Sequence, residues 1–460
     1  MKRIIIFLLT VSLLLCFSLS SCSTYLEDYS SASSRWSMGF SSEEIEIPFD
    51  TDHPLYIAGY SNGRSIDGVL DIPRANALWI DTGDKGVLLI GIDCVALGSG
   101  TVNKIRNELR SFCRKVGCVS VNVYATHTHA GIDTLGLWGD VAVDGKNPDY
   151  MEALISSAVE AAKGAYDDRS EGSLYYGGAD VGSLLHDSRA PIEFDREIHQ
   201  LKFISDNESQ NGIRLISLSA HAESLRGDNL SVSRDFPGAL SDNIKESCGD
   251  DVLFMPGAIG GLIMTRELTE PFEPVENMKR TASILTDALM TIDDGRELTP
   301  ELSIATVPIK LPLDNTFFFF GKFLGILVNK TSHGDSETGY LLHSEVGALS
   351  FGEITFALIP GEIFPELVSG NGLSDGDPEP LSDIAARHGI EKLLVIGLCN
   401  DEIGYIVPPS DFRLNEELPY IEPLKVTSGE NHYEETNSVG PKTSEIIADA
   451  FEKAINDFGA

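Results

Sequence analysis

The chain has 460 residues, of which 70 are acidic and 34 basic, giving a formal charge of −36. No basic stripe exists to neutralise phosphates, which argues against nucleic acid as a partner and against electrostatic docking on anionic lipid, so that an anchor must do that work. The length suffices for one large domain or two modest ones.

The N-terminus reads as an export signal. Lys2 and Arg3 precede an almost unbroken apolar run over residues 4–17, too short to span a bilayer. Leu19, Ser20 and Ser21 then lead into Cys22, the pattern of a bacterial lipoprotein processing site. The expectation is a signal over residues 1–22, lipidation of Cys22, and anchoring on the outer face of a cell membrane or in an outer membrane. Five cysteines remain beyond it: Cys94, Cys113, Cys118, Cys248 and Cys399. Their scatter fits neither a dense disulfide framework nor a zinc ribbon, and leaves room for one bridge. Residues 23–45 are rich in Ser, Glu and Asp and read as a flexible tether.

From Asp50 onward apolar strand-like runs alternate with helix-period segments, as in an α/β protein. Residues 87–92 form a buried strand ending at Asp93. Residues 101–115 place Val102, Ile105, Leu109 and Phe112 on one helical face. Further amphipathic helices are expected over 149–165 and 443–458. Residues 317–328 are almost wholly apolar; a buried helix is the favoured reading, and an apolar lid beside a greasy substrate the alternative.

Four strand-like runs end in polar groups. In residues 118–125 Val119, Val121, Val123 and Ala125 share one face, which His127 and His129 continue. Residues 213–220 run into His221, 354–359 into Glu362, and 392–396 toward Tyr405. Ligands gather at the carboxyl ends of strands in open α/β sheets, so these groups are expected to converge. Two imidazoles and a carboxylate with an open position suit catalytic zinc; the oxygen cages of Ca²⁺ or Mg²⁺ have no need of histidine.

These residues resemble the catalytic domain of the neutral/alkaline, non-lysosomal ceramidases. The matching pieces, in the family's order, are ATHTHAG at 125–131, SRDFPG at 233–238, IPGE at 359–362, GLCNDEIGY at 397–405 and HYEETNS at 432–438. The resemblance implies layered mixed sheets covered by helices. It also implies zinc held by His127, His221, Glu362 and Tyr405, with His129 and Arg189 beside it. Residues 46–460 would form the catalytic domain, without the family's C-terminal immunoglobulin-like domain. The remaining histidines match no metal position and are expected to be surface or structural.

One departure bears on chemistry. GGLIMT at 260–265 puts Ile263 where eukaryotic-type members carry a serine assigned to the reacting centre. An isoleucine side chain is neither nucleophile nor hydrogen-bond donor, and the chain has no Gly-x-Ser-x-Gly elbow. The expected activity is therefore cleavage of an N-acyl amide, ceramide-like, by a metal-activated water, with His129, Tyr405 and Arg189 stabilising the oxyanion. The rival readings are a zinc hydrolase of another amide or ester, and a ligand-binding surface lipoprotein without turnover.

Overall fold

A computed structural model describes residues 26–83, 85–140, 143–292, 295–327, 329–335, 339–426 and 431–458. The expected signal segment, Cys22 and the first residues of the expected tether lie outside them.

Two mixed sheets pack face to face. The larger runs in the order Asp251–Pro256, Ile213–Leu218, Glu197–Ser205, Ser170–Asp180, Trp36–Glu44, Arg74–Asp81, Gly86–Ile92, Cys118–Ala125. Its two outer pairs are parallel and the pairs between them antiparallel. The smaller runs Tyr29–Ala32, Glu301–Pro312, Tyr340–Phe351, Ile354–Leu358, Lys392–Ile396, with Thr331–His333 added on Tyr340–Phe351.

Period-two alternation explains the layering. Val87 and Leu89 face Phe351, Phe356 and Ile396 in a core between the sheets. Leu88 and Ile90, pointing the other way, pack on Val102, Ile105 and Leu109 of the helix Ser99–Val116 and on Leu154 of the helix Pro148–Asp168. The outer face of the smaller sheet is covered in the same way, with Val307 and Ala357 against Phe451 of the helix Thr443–Asn456. Each strand buried on both faces becomes a continuous apolar run, which is why 86–92 reads as one. The architecture is helix, sheet, sheet, helix, as expected.

Three sequence expectations differ from the structure. The tether does not extend to residue 45: Tyr29–Ala32 and Trp36–Glu44 are strands, one in each sheet, with Trp36 and Met38 fully buried between the sheets. Serine-rich composition masked the alternation of Trp36, Met38 and Phe40. Within residues 317–328, of which Val328 is not described, the helix Thr316–Phe323 has no buried residue, so a buried helix is not what forms there. Finally, the strand ends at Ala125 and does not carry its alternation on to His127, whose φ of 64° breaks it. The five cysteines are free thiols, and no helix among the described residues is long and apolar enough to cross a membrane.

Candidate metal centre

His127 and His221 follow strands of the larger sheet, whereas Glu362 and Tyr405 follow strands of the smaller. What brings them together is the segment after Lys392–Ile396. Asn400, in the left-handed region at φ 68°, accepts from Val123 N–H through its side chain at 2.9 Å and donates its own N–H to Val123 O at 2.7 Å. That ties the loop to the edge strand of the other sheet. Glu362 and Tyr405 are then paired in register across a short parallel bridge.

The result is a buried cluster of donor atoms. His129 Nε2 lies 3.2 Å from His127 Nε2, Glu362 Oε2 lies 3.0 Å from His221 Nε2 and 3.5 Å from His127 Nε2. One ligand atom from each of His127, His129 and His221 falls within 4.8 Å of the others. Donors placed about 2.0–2.1 Å from a tetrahedral ion are roughly 3.3 Å apart, so a cluster of this size could hold a metal ion.

The outer contacts separate the three imidazoles. His127 Nδ1 is 2.7 Å from Val95 O and His221 Nδ1 is 2.8 Å from Ile263 O. A carbonyl only accepts, so in both rings Nδ1 carries the hydrogen and Nε2 presents its lone pair inward, the usual arrangement of a metal-bound histidine. His129 differs. Its Nδ1 is buried without a hydrogen-bond partner, the nearest acid being Glu223 Oε2 at 3.6 Å. Glu223 is itself held by the Tyr60 hydroxyl at 2.8 Å, and Tyr60 meets the His129 ring edge-on.

Electrostatics follow burial and pairing. Burial alone would raise the Glu362 carboxyl, but His127 and His221 hold it well below the usual carboxylate range. Burial would lower His221, and its bond to Glu362 outweighs that and raises it. Burial, then the neighbouring His127 and His221, push His129 well down, so its imidazole is neutral. Burial and the Glu362 charge push the Tyr405 phenol up, keeping its hydrogen in place.

Arg189 sits differently from expectation. Its guanidinium donates to Asp411, Glu434 and Glu435 and reaches His432 Nδ1 at 3.1 Å, all three nitrogens being engaged. No donor is left for a substrate oxygen. It clamps the 411 and 432–435 segments, and so supports Tyr433, whose ring centroid is 6.2 Å from that of Tyr405. Ile263 contributes too, through its carbonyl and not its buried side chain.

Sequence reasoning missed Glu223, Tyr60 and Glu402. The Glu402 Oε1 accepts from Gly404 N–H at 2.7 Å while Oε2 is buried without a partner; burial, then the Glu362 charge, hold this carboxyl well above its usual range. Only its place three residues before Tyr405 hinted at it. A second group, Asp195, Glu197 and His199, has the composition of a metal site. Both His199 nitrogens are satisfied without an ion, by Asp195 at 2.9 Å and the Tyr176 hydroxyl at 3.0 Å.

No family model and no curated protein matches the sequence. Among solved structures, neutral ceramidase from Pseudomonas aeruginosa superimposes with a TM-score of 0.71 at 14% identity, covering 92% of this chain and 74% of that one. A structure described as ceramidase complexed with C2 matches equally, with 75% of its chain covered. At this identity the likeness is one of fold, and the chain shares the fold of neutral ceramidase over nearly its whole length.

Proposed function

We propose that this chain is a zinc-dependent hydrolase that cleaves the N-acyl amide bond of a ceramide-like lipid. The observation that carries the reading is the buried convergence of three imidazole nitrogens and a carboxylate oxygen, supplied by three loops that follow strands of two sheets. Catalytic zinc keeps a position open, so three donors hold the ion and the fourth is free for chemistry. His127, His221 and Glu362 are the holders, because carbonyls fix the two histidine tautomers and Glu362 touches both rings. Bound there, zinc supplies Lewis acidity toward a carbonyl oxygen and makes water easier to ionise.

His129, neutral and without a fixed Nδ1 partner, is the proton carrier. It takes a proton from the attacking water and returns it to the amine nitrogen as the C–N bond breaks. The Tyr405 hydroxyl donates to the carbonyl oxygen as charge develops on it. Water adds across the amide, giving a fatty acid and an amine, with no acylated side chain. The resemblance adds Tyr405 to the ligand set; its contact with Glu362 is compatible with either role.

Support for a lipid amide comes from the shared fold, and support for a lipidated protein on the outer face of a membrane comes from the Cys22 motif alone. The test is metal analysis of the purified protein together with hydrolysis of a fluorescent N-acyl sphingosine. Stoichiometric zinc and release of fatty acid are expected, both lost in a His127→Ala, His221→Ala double variant. Full zinc occupancy in that variant overturns the ligand assignment.

A further inference from the structure

Among the described α-helices, Thr316–Phe323 stands apart: no side chain in it is buried. Phe317, Phe320, Phe323 and the following Leu324 are 55%, 59%, 80% and 55% exposed. A cluster of this kind is unfavourable in water unless something covers it. Phe318 alone turns inward, toward the core of the smaller sheet.

The helix is fastened to the rim of the metal centre at both flanks. Before it, the Asn315 side chain donates to Thr436 O at 3.0 Å and Ser438 O at 2.8 Å. At its end, Lys322 of the last turn donates to Asn329 O, and Asn329 donates to the Asp401 carboxylate at 2.8 and 3.0 Å. Ser438 in turn bridges Gly404, the neighbour of Tyr405. The apolar knob therefore stands on the two segments that carry Tyr405 and Tyr433.

Its charge is the reverse of the chain's. Residues 315–334 contain Lys322, Lys330 and His333 and no acidic residue, in a protein with 70 acids and a net charge of −36. Aromatic side chains flanked by lysines, in a stretch without carboxylates between Asp314 and Asp335, match the boundary between lipid headgroups and acyl chains.

We propose that Phe317, Phe320, Phe323 and Leu324 insert into the surface of a lipid bilayer, placing the segments that carry Tyr405 and Tyr433 against the membrane that holds its substrate. The substrate side of this statement rests on the hydrolase reading above; the insertion does not. It gives a lipid amide a route from the bilayer to Tyr405 without crossing water.

The test uses the full chain carrying Phe323→Trp, mixed with vesicles of phosphatidylcholine and phosphatidylglycerol brominated on the acyl chains. Trp36 and Trp79 are buried, and the unsubstituted protein serves as the blank for them and for Trp138. Insertion gives a blue shift and quenching at position 323 that the blank lacks, whether or not the N-terminus also holds the membrane. In parallel, a Phe320→Ser, Phe323→Ser variant should lose about tenfold in turnover of a long-chain amide in vesicles while a short-chain soluble amide stays within about twofold. Absence of quenching overturns the proposal, as does an equal loss on both substrates. A blue shift without vesicles that grows with protein concentration also overturns it, and assigns the face to a second copy of the chain. Failure of the unsubstituted protein to cleave either amide counts against the hydrolase reading alone, because the quenching is read without turnover.

Discussion

His221 is held twice by Ile263: its backbone N–H and its ring Nδ1 both lie 2.8 Å from the same carbonyl oxygen. Ile263, which the resemblance to ceramidases sets at a serine position of that family, thus serves this site through the main chain. Leu262, at φ 60°, and Gly261, at φ 80°, turn the chain so that the carbonyl points at the ring.

Ile263→Val should accordingly keep bound metal and turnover within about twofold, since it alters volume by one methylene and leaves the carbonyl in place. Serine-directed acylating reagents should leave activity untouched. Stoichiometric labelling of a serine with matching loss of turnover would show that the chemistry passes through a covalent acyl-enzyme after all.

The ring of His129 is set by what it packs against. A Cβ at Gly59 would sit 2.6 Å from His129 Cγ, and Gly59 has φ 97°, so Gly59→Ala must displace either the ring or the loop. A kcat loss of about tenfold or more with metal content unchanged is expected, because a small misplacement of a proton carrier is enough. Glu223→Gln, which leaves the shape and removes the charge nearest Nδ1, should lower kcat with little change in KM. Steady-state kinetics beside metal analysis decide both; loss of metal in either variant would instead make His129 a ligand.

Arg189 neutralises a buried acidic wall. Burial disfavours its charge, but Glu435, Glu434 and Asp411 more than offset that and raise it. Arg189→Met would leave Glu434 and Glu435 buried without a counter-ion, at about 3–5 kcal/mol of unfolding free energy. Urea unfolding measures this, and a loss below about 1 kcal/mol would contradict the clamp.

Glu366 gives a pH dependence with a definite sign. Its Oε2 is buried without a partner, and burial, then Asp187 and Asp411, push its carboxyl up to about 7. The folded protein therefore keeps a proton that the unfolded chain has already released above its usual range. Stability falls as pH rises from about 4.5 through about 7, by roughly 2 kcal/mol between pH 5 and pH 8. Glu366→Gln should flatten that part of the profile. An unchanged slope in thermal melts across this range would assign the dependence elsewhere.

How much could be read in the sequence depended on whether a role had a pattern. His127, His221, Glu362 and Tyr405 were legible because each follows an apolar strand-like run, and strand ends are where sites form. The sheets were legible for the same reason, residues buried on both faces being continuously apolar. Glu223 was not, because a carboxylate that steadies a ring is placed by tertiary approach and leaves no spacing behind. Trp36–Glu44 was misread because serine and glutamate outweighed three aligned apolar residues. The exposure of Phe320 and Phe323 was beyond reach: apolar content says that a face wants covering, not that the fold supplies the cover.

The division of the donors between the sheets has a mechanical consequence. His127 and His221 follow strands of one sheet and Glu362 a strand of the other, so an ion shared by all three would act as a rivet through the sandwich. Any separation of the layers would have to break its coordination, which links metal affinity to global unfolding. At free zinc a thousandfold above its dissociation constant the linkage amounts to about 4 kcal/mol. Chelation should then lower the melting temperature by several degrees and restore it on adding zinc back. Melting that ignores the metal would mean that the two sheets part, or hold, without reference to what lies between their ends.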